Sequence, residues 1–273
     1  MKEIEISSDQ VVPLDAVATG VVGLRIVIVN VFAVTGEDGW VLIDAGLNGS
    51  ASRIARWARE LVGGEAPKAI FLTHGHFDHV GAIYGLLDLW QVPVYVHRDE
   101  WPYVTGAQSY PAPDPSVGGG LMARMAALYP HEPIDLGNRV RLLPEDGTVP
   151  HLPGWRWIHT PGHSAGHVSL FRDTDRTLIV GDAFCTTKQE SFLAVATQRP
   201  ELHGPPAYFT TDWDAARDSV RRLAHLQPTF IAPGHGRPVV GQEITERLSE
   251  LAAGFDEVAR PAQGRYVDRP TRG

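Results

Sequence analysis

The stretch His74-Gly75-His76-Phe77-Asp78-His79 decides how this chain is read. It gathers three imidazoles and one carboxylate within six positions, more metal-binding chemistry than packing requires. The preceding Lys68-Ala-Ile-Phe-Leu-Thr73 reads as a short buried strand, and Val80 to Trp90 is apolar at helical spacing. The motif therefore falls on a strand-to-helix corner, a rigid place from which side chains can be aimed at an ion. His74 and His76, two residues apart, can point the same way and share one ion. Asp78 and His79 open the helix, where they can face a second. A two-metal site and an enzyme are the expectation.

Outward from this corner the chain alternates strands and helices. Val11-Val12, Val22 to Val29, Val31 to Thr35 and Trp40 to Ile43 read as strands, with Gly36-Glu-Asp-Gly39 as a turn. Ser50 is expected to cap a helix carrying Ile54, Trp57, Ala58 and Leu61 on one face, stopped by Gly63. A strand from Val94 to His97 follows the motif. A second round begins near Asn138, with strands Val140 to Leu143, Trp155 to His159, Val168 to Phe171 and Thr177 to Val180. Asp212 then caps a helix that turns Trp213, Ala216, Val220, Leu223 and Leu226 inward, and Thr229 to Ala232 is the last strand. No linker rich in Ser, Gly or Pro divides the 273 residues, so one domain is expected. Residues 98–135, rich in Pro, Gly and aromatics, read as an insertion, and the polar tail 261–273 as loosely ordered.

Composition narrows the function. A formal charge of −8 without a basic stripe disfavours a nucleic-acid partner, which demands clustered Lys and Arg. The apolar run Val21 to Val34 is too short to span a bilayer. The single Cys185 rules out an internal disulfide, and the opening Met-Lys-Glu-Ile-Glu-Ile lacks an apolar signal core. A cytoplasmic protein acting on a small molecule, without membrane partners, is expected.

Three more ligand-type residues stand beside glycines at the ends of apolar runs: His163 in Thr160-Pro-Gly-His163, Asp182 in Val180-Gly-Asp182, and His235 in Pro233-Gly-His235-Gly236. Strand ends are where open α/β sheets place their sites. With these residues the chain resembles the metallo-β-lactamase superfamily of hydrolases, from Asp44 to His235 and with the core motifs in order. The resemblance implies an α/β fold, a four-layer αββα sandwich with metals at one edge between two sheets. It implies one ion on His74, His76 and His163, another on Asp78, His79 and His235, and Asp182 bridging them. Asp44 would orient the first histidine cluster from behind. Imidazole and carboxylate ligands suit zinc, with iron or manganese as alternatives.

Two ions close together can activate a hydroxide and polarise a substrate oxygen, which fits hydrolysis of esters, thioesters, lactones or lactams. Asp78 and Asp182 are the expected catalytic carboxylates. Within the superfamily, glyoxalase-II-like enzymes carry an added C-terminal helical domain, for which little chain follows His235. Many quorum-quenching lactonases have a tyrosine three residues after the bridging aspartate, where Cys185 stands here. A glyoxalase/lactonase-like hydrolase of unassigned substrate remains. Iron-dependent oxygen chemistry of the persulfide-dioxygenase kind is the alternative. The histidines at 97, 131, 151, 159, 167, 203 and 225 read as packing or surface residues, and Cys185 as a buried inert thiol. In the insertion, Leu121, Met125 and Leu128 are spaced for one helical face. A lid hinged at Gly118-Gly119-Gly120 is expected there, with Tyr103, Tyr110 and Met122, together with Tyr208, lining a substrate pocket.

Overall fold

Two rounds of the same pattern, an antiparallel run followed by a parallel crossover, build the two sheets of the computed structural model, which describes residues 3–267. The chain opens with the short strand β1 (Ile4–Glu5). In the first sheet, β2 (Val21–Ile26), β3 (Val29–Gly36) and β4 (Gly39–Ile43) form an antiparallel meander. Then β5 (Ile70–Phe71), β6 (Val94–Val96) and β7 (Val140–Leu142) add in parallel, in chain order. In the second sheet, β8 (Trp155–His159), β9 (Val168–Arg172) and β10 (Thr177–Gly181) are antiparallel neighbours. The strand β11 (Glu201–Leu202) pairs with β1, while β12 (Phe230–Pro233) lies parallel to β10 and β13 (Val239–Val240) closes the edge.

The helices are α1 (Ala51–Val62), α2 (Phe77–Val80), α3 (Ile83–Trp90), α4 (Trp101–Val104), α5 (Leu121–Met125), α6 (Phe192–Thr197), α7 (Trp213–His225), α8 (Gln242–Ala253) and α9 (Phe255–Val258). Strand periodicity sorts neighbouring residues into different cores. Leu42, Ile70, Leu72 and Val94 pack with Ile54 and Ala58 of α1 and Ile83 and Leu86 of α3. Their neighbours Val41, Ile43 and Phe71 meet Val168, Leu170, Ile179 and Ala232 between the sheets. Leu178, Val180 and Ile231 turn the other way, onto Trp213, Val220 and Leu223 of α7 and Leu248 and Leu251 of α8. Both sheets are thus covered on both faces, and the strands read as continuous apolar runs. Three cores between four layers give the αββα sandwich.

Several local expectations change. Val22 to Val29 is not one strand: Val27 takes φ +58°, turning β2 into β3. The helix expected over 80–90 is two, α2 and α3, parted where a Cβ on Gly81 would strike the backbone of Leu47 and Asn48. Ser50 precedes α1 without capping it; its hydroxyl donates to the Leu47 carbonyl at 2.6 Å. Asp212 does cap α7, accepting from Ala215 N at 2.9 Å. In α5 and the turn after it, Leu121, Met125 and Leu128 face solvent, while Met122, Ala123 and Ala126 are buried. The described part of the tail packs on the insertion: Tyr266 Oη donates to the Ala112 carbonyl at 2.7 Å and Val267 is buried. Residues 268–273 lie outside the described residues. No helix among the described residues is long and apolar enough to cross a membrane.

Candidate metal centre

The strand ends converge at one edge of the sandwich. His74 follows β5, Asp78 and His79 ride on α2, His163 follows β8, Asp182 follows β10 and His235 follows β12. All seven expected ligands are buried and fall into interlocking groups: His74, His76 and His163; His74, His79 and Asp182; Asp78, His79 and His235. Within each group the candidate ligand atoms lie within 4.8 Å of one another. His76 Nδ1 is 2.9 Å from His163 Nε2. Asp182 Oδ2 lies 3.1 Å from His235 Nε2 and 3.5 Å from Nε2 of both His79 and His163. Asp78 Oδ2 is 3.3 Å from His235 Nε2.

Hydrogen bonds behind the histidines fix which nitrogen points inward. The Thr73 hydroxyl donates to Asp44 at 2.9 Å, so at 3.0 Å it accepts from His74 Nδ1. His79 Nδ1 donates to Asp44 Oδ2 at 2.8 Å, and His235 Nδ1 to the Ile28 carbonyl at 2.8 Å. The Thr210 hydroxyl donates to the Pro206 carbonyl, leaving its lone pair for His163 Nδ1 at 3.3 Å. Four imidazoles therefore turn a bare Nε2 toward the centre, as metal ligands must. Nε2 of His74 and of His79 and Oδ1 of Asp182 are buried without any hydrogen-bond partner. Such orphans are costly unless something binds them, and the donor set fits divalent cations.

The electrostatics agree. Burial, aided by neighbouring imidazoles, drives His74 and His76 well below the usual histidine range, keeping them neutral. Burial also opposes charge on His79, but Asp182, Asp44 and Asp78 outweigh it and hold its pKa well above normal. The carboxylates thus demand positive charge here, which bound cations would supply.

Glycines make the approach possible. A Cβ on Gly234 would collide with Asp182 Oδ1, and one on Gly181, itself at φ +57°, would lie 2.6 Å from His167 Nε2. That His167 nitrogen accepts from Asp182 N at 2.9 Å. Asp44 also has a left-handed backbone, φ +61°, uncommon outside glycine and found where function constrains the chain.

The matched region spans this whole constellation: residues 24–235 fit the profile of the metallo-beta-lactamase superfamily. The chain belongs to that superfamily. Among its relatives, the Bacillus subtilis protein named "Probable metallo-hydrolase YflN" is 47% identical over 257 residues, covering 90% of this chain and 97% of that one. "Probable metallo-hydrolase YybB" of the same organism is 32% identical, covering 81% and 86%. Of solved structures, "TTHA1623 in a di-iron-bound form" aligns with TM-score 0.55 at 29% identity, over 82% of this chain and 96% of that chain. A beta-lactamase domain protein from Burkholderia ambifaria aligns with TM-score 0.62 at 21% identity, over 93% and 80%, which speaks to the fold alone. As a superfamily member with metal-binding His/Asp clusters, the protein is a metallo-hydrolase-like enzyme.

The pocket residues expected from sequence lie close to this centre. The Tyr110 ring sits 4.4 Å from His76, with Tyr103 stacked behind it at 3.9 Å. Tyr208 packs edge-on to Phe209 and Tyr129, and the Tyr129 hydroxyl reaches Met122 Sδ at 3.9 Å. Phe209, which neighbours Tyr208 in the sequence, and Phe77 complete the cover: Phe209 stacks on His76 at 4.5 Å and Phe77 contacts Tyr129 at 5.5 Å. An isolated Phe carries no ligand signal, so only the motif position of Phe77 could have pointed to it. Cys185 is fully buried, and burial with Asp182 nearby pushes its thiol well above the usual range. Such a thiol is not poised as a ligand.

Proposed function

We propose that the protein is a dinuclear metal-dependent hydrolase acting on a carbonyl group, as in an ester, thioester, lactone or lactam, of a small molecule. His74, His76 and His163 would hold one ion, Asp78, His79 and His235 the other, and Asp182 would lie between them. The carrying observation is that Asp182 Oδ2 stands within 3.5 Å of Nε2 on His79, His163 and His235, touching both ligand groups with one oxygen. Divalent ions bound there, zinc in this proposal, supply Lewis acidity and draw a nucleophile from water at neutral pH.

The chain's own contribution is preorganisation. Hydrogen bonds donated by the imidazoles to Thr73, Asp44, Thr210 and Ile28 hold them in one tautomer, so no reorganisation is needed during reaction. Asp78 and Asp182 are the carboxylates that would take up and return the proton moved between nucleophile and leaving group. Phe77, Tyr129, Tyr208 and Phe209 form an aromatic cover that excludes water and strengthens polar interactions beneath it. A cavity of about 560 Å³ borders this cover, walled by Leu47, Phe77, Tyr84, Tyr110 and Ile134. Its size suits a small molecule, and its walls suit an apolar acyl chain or ring. In this proposal residues 98–135 serve as the lid, since they supply Tyr110, Met122 and Tyr129.

A panel of thioesters, lactones, aryl esters, phosphodiesters and β-lactams, tested on enzyme of defined metal content, checks the reading. Turnover of carbonyl substrates by enzyme with two zinc ions is expected. The second reading, iron-dependent oxygen chemistry, draws on the relative with two bound irons. One iron per chain with dioxygen consumption, and no hydrolysis, would replace the first reading with the second.

A further inference from the structure

Glu100 stands outside the ligand set, at the head of the insertion, yet it is buried where two ligand loops meet. Its Oε2 accepts from Gly75 N at 3.0 Å and from the Tyr110 hydroxyl. Its Oε1 accepts from Ser164 Oγ at 2.5 Å and from Gly166 N at 3.0 Å. Four donors match an ionised carboxylate, which accepts and never donates. Gly75 separates His74 from His76, and Ser164 and Gly166 follow His163. The approach is tight. A Cβ on Gly75 would fall 2.7 Å from Tyr110 Oη, and one on Gly166 would fall 2.6 Å from Glu100 N.

These contacts are selective. Both loops tied by Glu100 belong to the His74, His76 and His163 group, and no donor comes from the 78–79 turn or the 234–236 loop. Asp44 serves the other group, through His79 Nδ1. We infer that Glu100 is a positioning residue that latches the 74–76 loop to the 163–166 loop and thereby sets the affinity of the His74/His76/His163 ion alone. The inference rests on the ligand assignment proposed above. Because Glu100 and Tyr110 both lie in the 98–135 segment, the same latch ties the cover to the metal loops.

Single-ion backgrounds provide the test. His235→Ala should leave only the Glu100-latched ion, and His163→Ala only its neighbour. Zinc affinity is read in each background by competition with a chromogenic chelator, with and without Glu100→Gln. The glutamine keeps the volume but turns an amide donor toward groups that also donate. Glu100→Gln should weaken zinc about 10–100-fold in the His235→Ala background, the range for lost support behind a ligand. In the His163→Ala background it should change nothing. Tyr110→Phe, which keeps the ring on His76 and removes one donor, should cause a smaller loss confined to the same ion. Equal weakening in both backgrounds, or none in either, overturns the inference while leaving the ligand assignment intact. A His163→Ala chain that still binds two zinc ions overturns the assignment and the inference together.

Discussion

Asp44 Oδ2 lies 2.8 Å from His79 Nδ1, and Oδ1 of the same carboxylate accepts the backbone N–H of Thr73 at 2.8 Å. One buried side chain thus fixes both the tautomer of a proposed ligand and the strand end that launches the motif. Asp44 reaches His74 only through the Thr73 hydroxyl, so its direct client is the Asp78/His79/His235 group. Asp44→Asn should keep the fold and cost about 10–100-fold in affinity at that ion, with a matching loss of activity. Wild-type affinity in a zinc titration of this variant would reduce Asp44 to a turn residue.

In this assignment each ion has three ligands of its own and shares only Asp182, which makes the loss of either ion countable. His163→Ala and His235→Ala should each bind one ion fewer than wild type and lose turnover. Cys185→Ser, altering a buried thiol that contacts no ion in this assignment, should retain both ions and most activity. Chelation should lower the melting temperature of wild type, because ligands that bind only the folded state stabilise it. An unchanged two-ion content in either histidine variant contradicts the assignment.

Much of the candidate site was legible from residues alone because clustered imidazoles and carboxylates are chemically conspicuous. His74, His76, His163, Asp182 and His235 stand beside glycines, Asp78 and His79 complete the six-residue motif, and the structure brings all seven together. Most strands were legible too, since doubly covered strands read as unbroken apolar runs, whereas the four layers were implied by the family resemblance that the motifs carry. The missed elements had weaker signals. The helix α8 carries Ile244, Leu248 and Leu251 toward the core but starts after Gly241 without a capping side chain. The strands β1 and β11 are two residues each, too short for a pattern. Glu100 was invisible because its four partners are spread over 92 positions, from Gly75 to Gly166, and only the fold collects them. Helical spacing puts Leu121, Met125 and Leu128 on one face without saying where it points, and the fold turns that face to solvent.

Acid should destabilise the protein partly through a histidine pair outside the proposed ligand set. His97 stacks on His159 with ring centroids 4.2 Å apart, beside Trp157, Asp99 and Arg98. Burial, with His159 alongside, pushes the His97 pKa down to about 4. The unfolded chain takes up that proton near its ordinary value of about 6.5, so protonation favours unfolding. The stabilising contribution is therefore complete above about pH 6.5 and is lost as pH falls toward about 4. Allowing for screening, it amounts to about 1–2 kcal/mol. Melting temperatures of wild type and His97→Gln across pH 7 to 4 should converge toward acid. Parallel curves would show that His97 titrates normally.

The aromatic cover yields the specificity prediction. Tyr129 reaches Phe77 at 5.5 Å, Tyr208 at 5.7 Å and Phe209 at 6.1 Å, yet it bonds no ligand loop. Tyr110 is a poorer probe of the pocket, since its hydroxyl also receives Gly75 N at 2.8 Å and its loss would disturb the metal loops. Tyr129→Ala should therefore leave metal content at wild type while raising KM or shifting preference toward less bulky substrates. Truncating an aromatic anchor that a bound substrate covers typically costs about 2 kcal/mol or more, so a KM increase on the order of thirtyfold is expected. Tyr208→Ala should act in the same direction, because its ring supports Tyr129 and Phe209 from the second half of the chain. If both variants keep wild-type kinetics across the panel while binding two ions, the cover is a structural cap. The binding surface would then be sought along the 560 Å³ cavity beyond it, where Tyr84→Ala is the next variant.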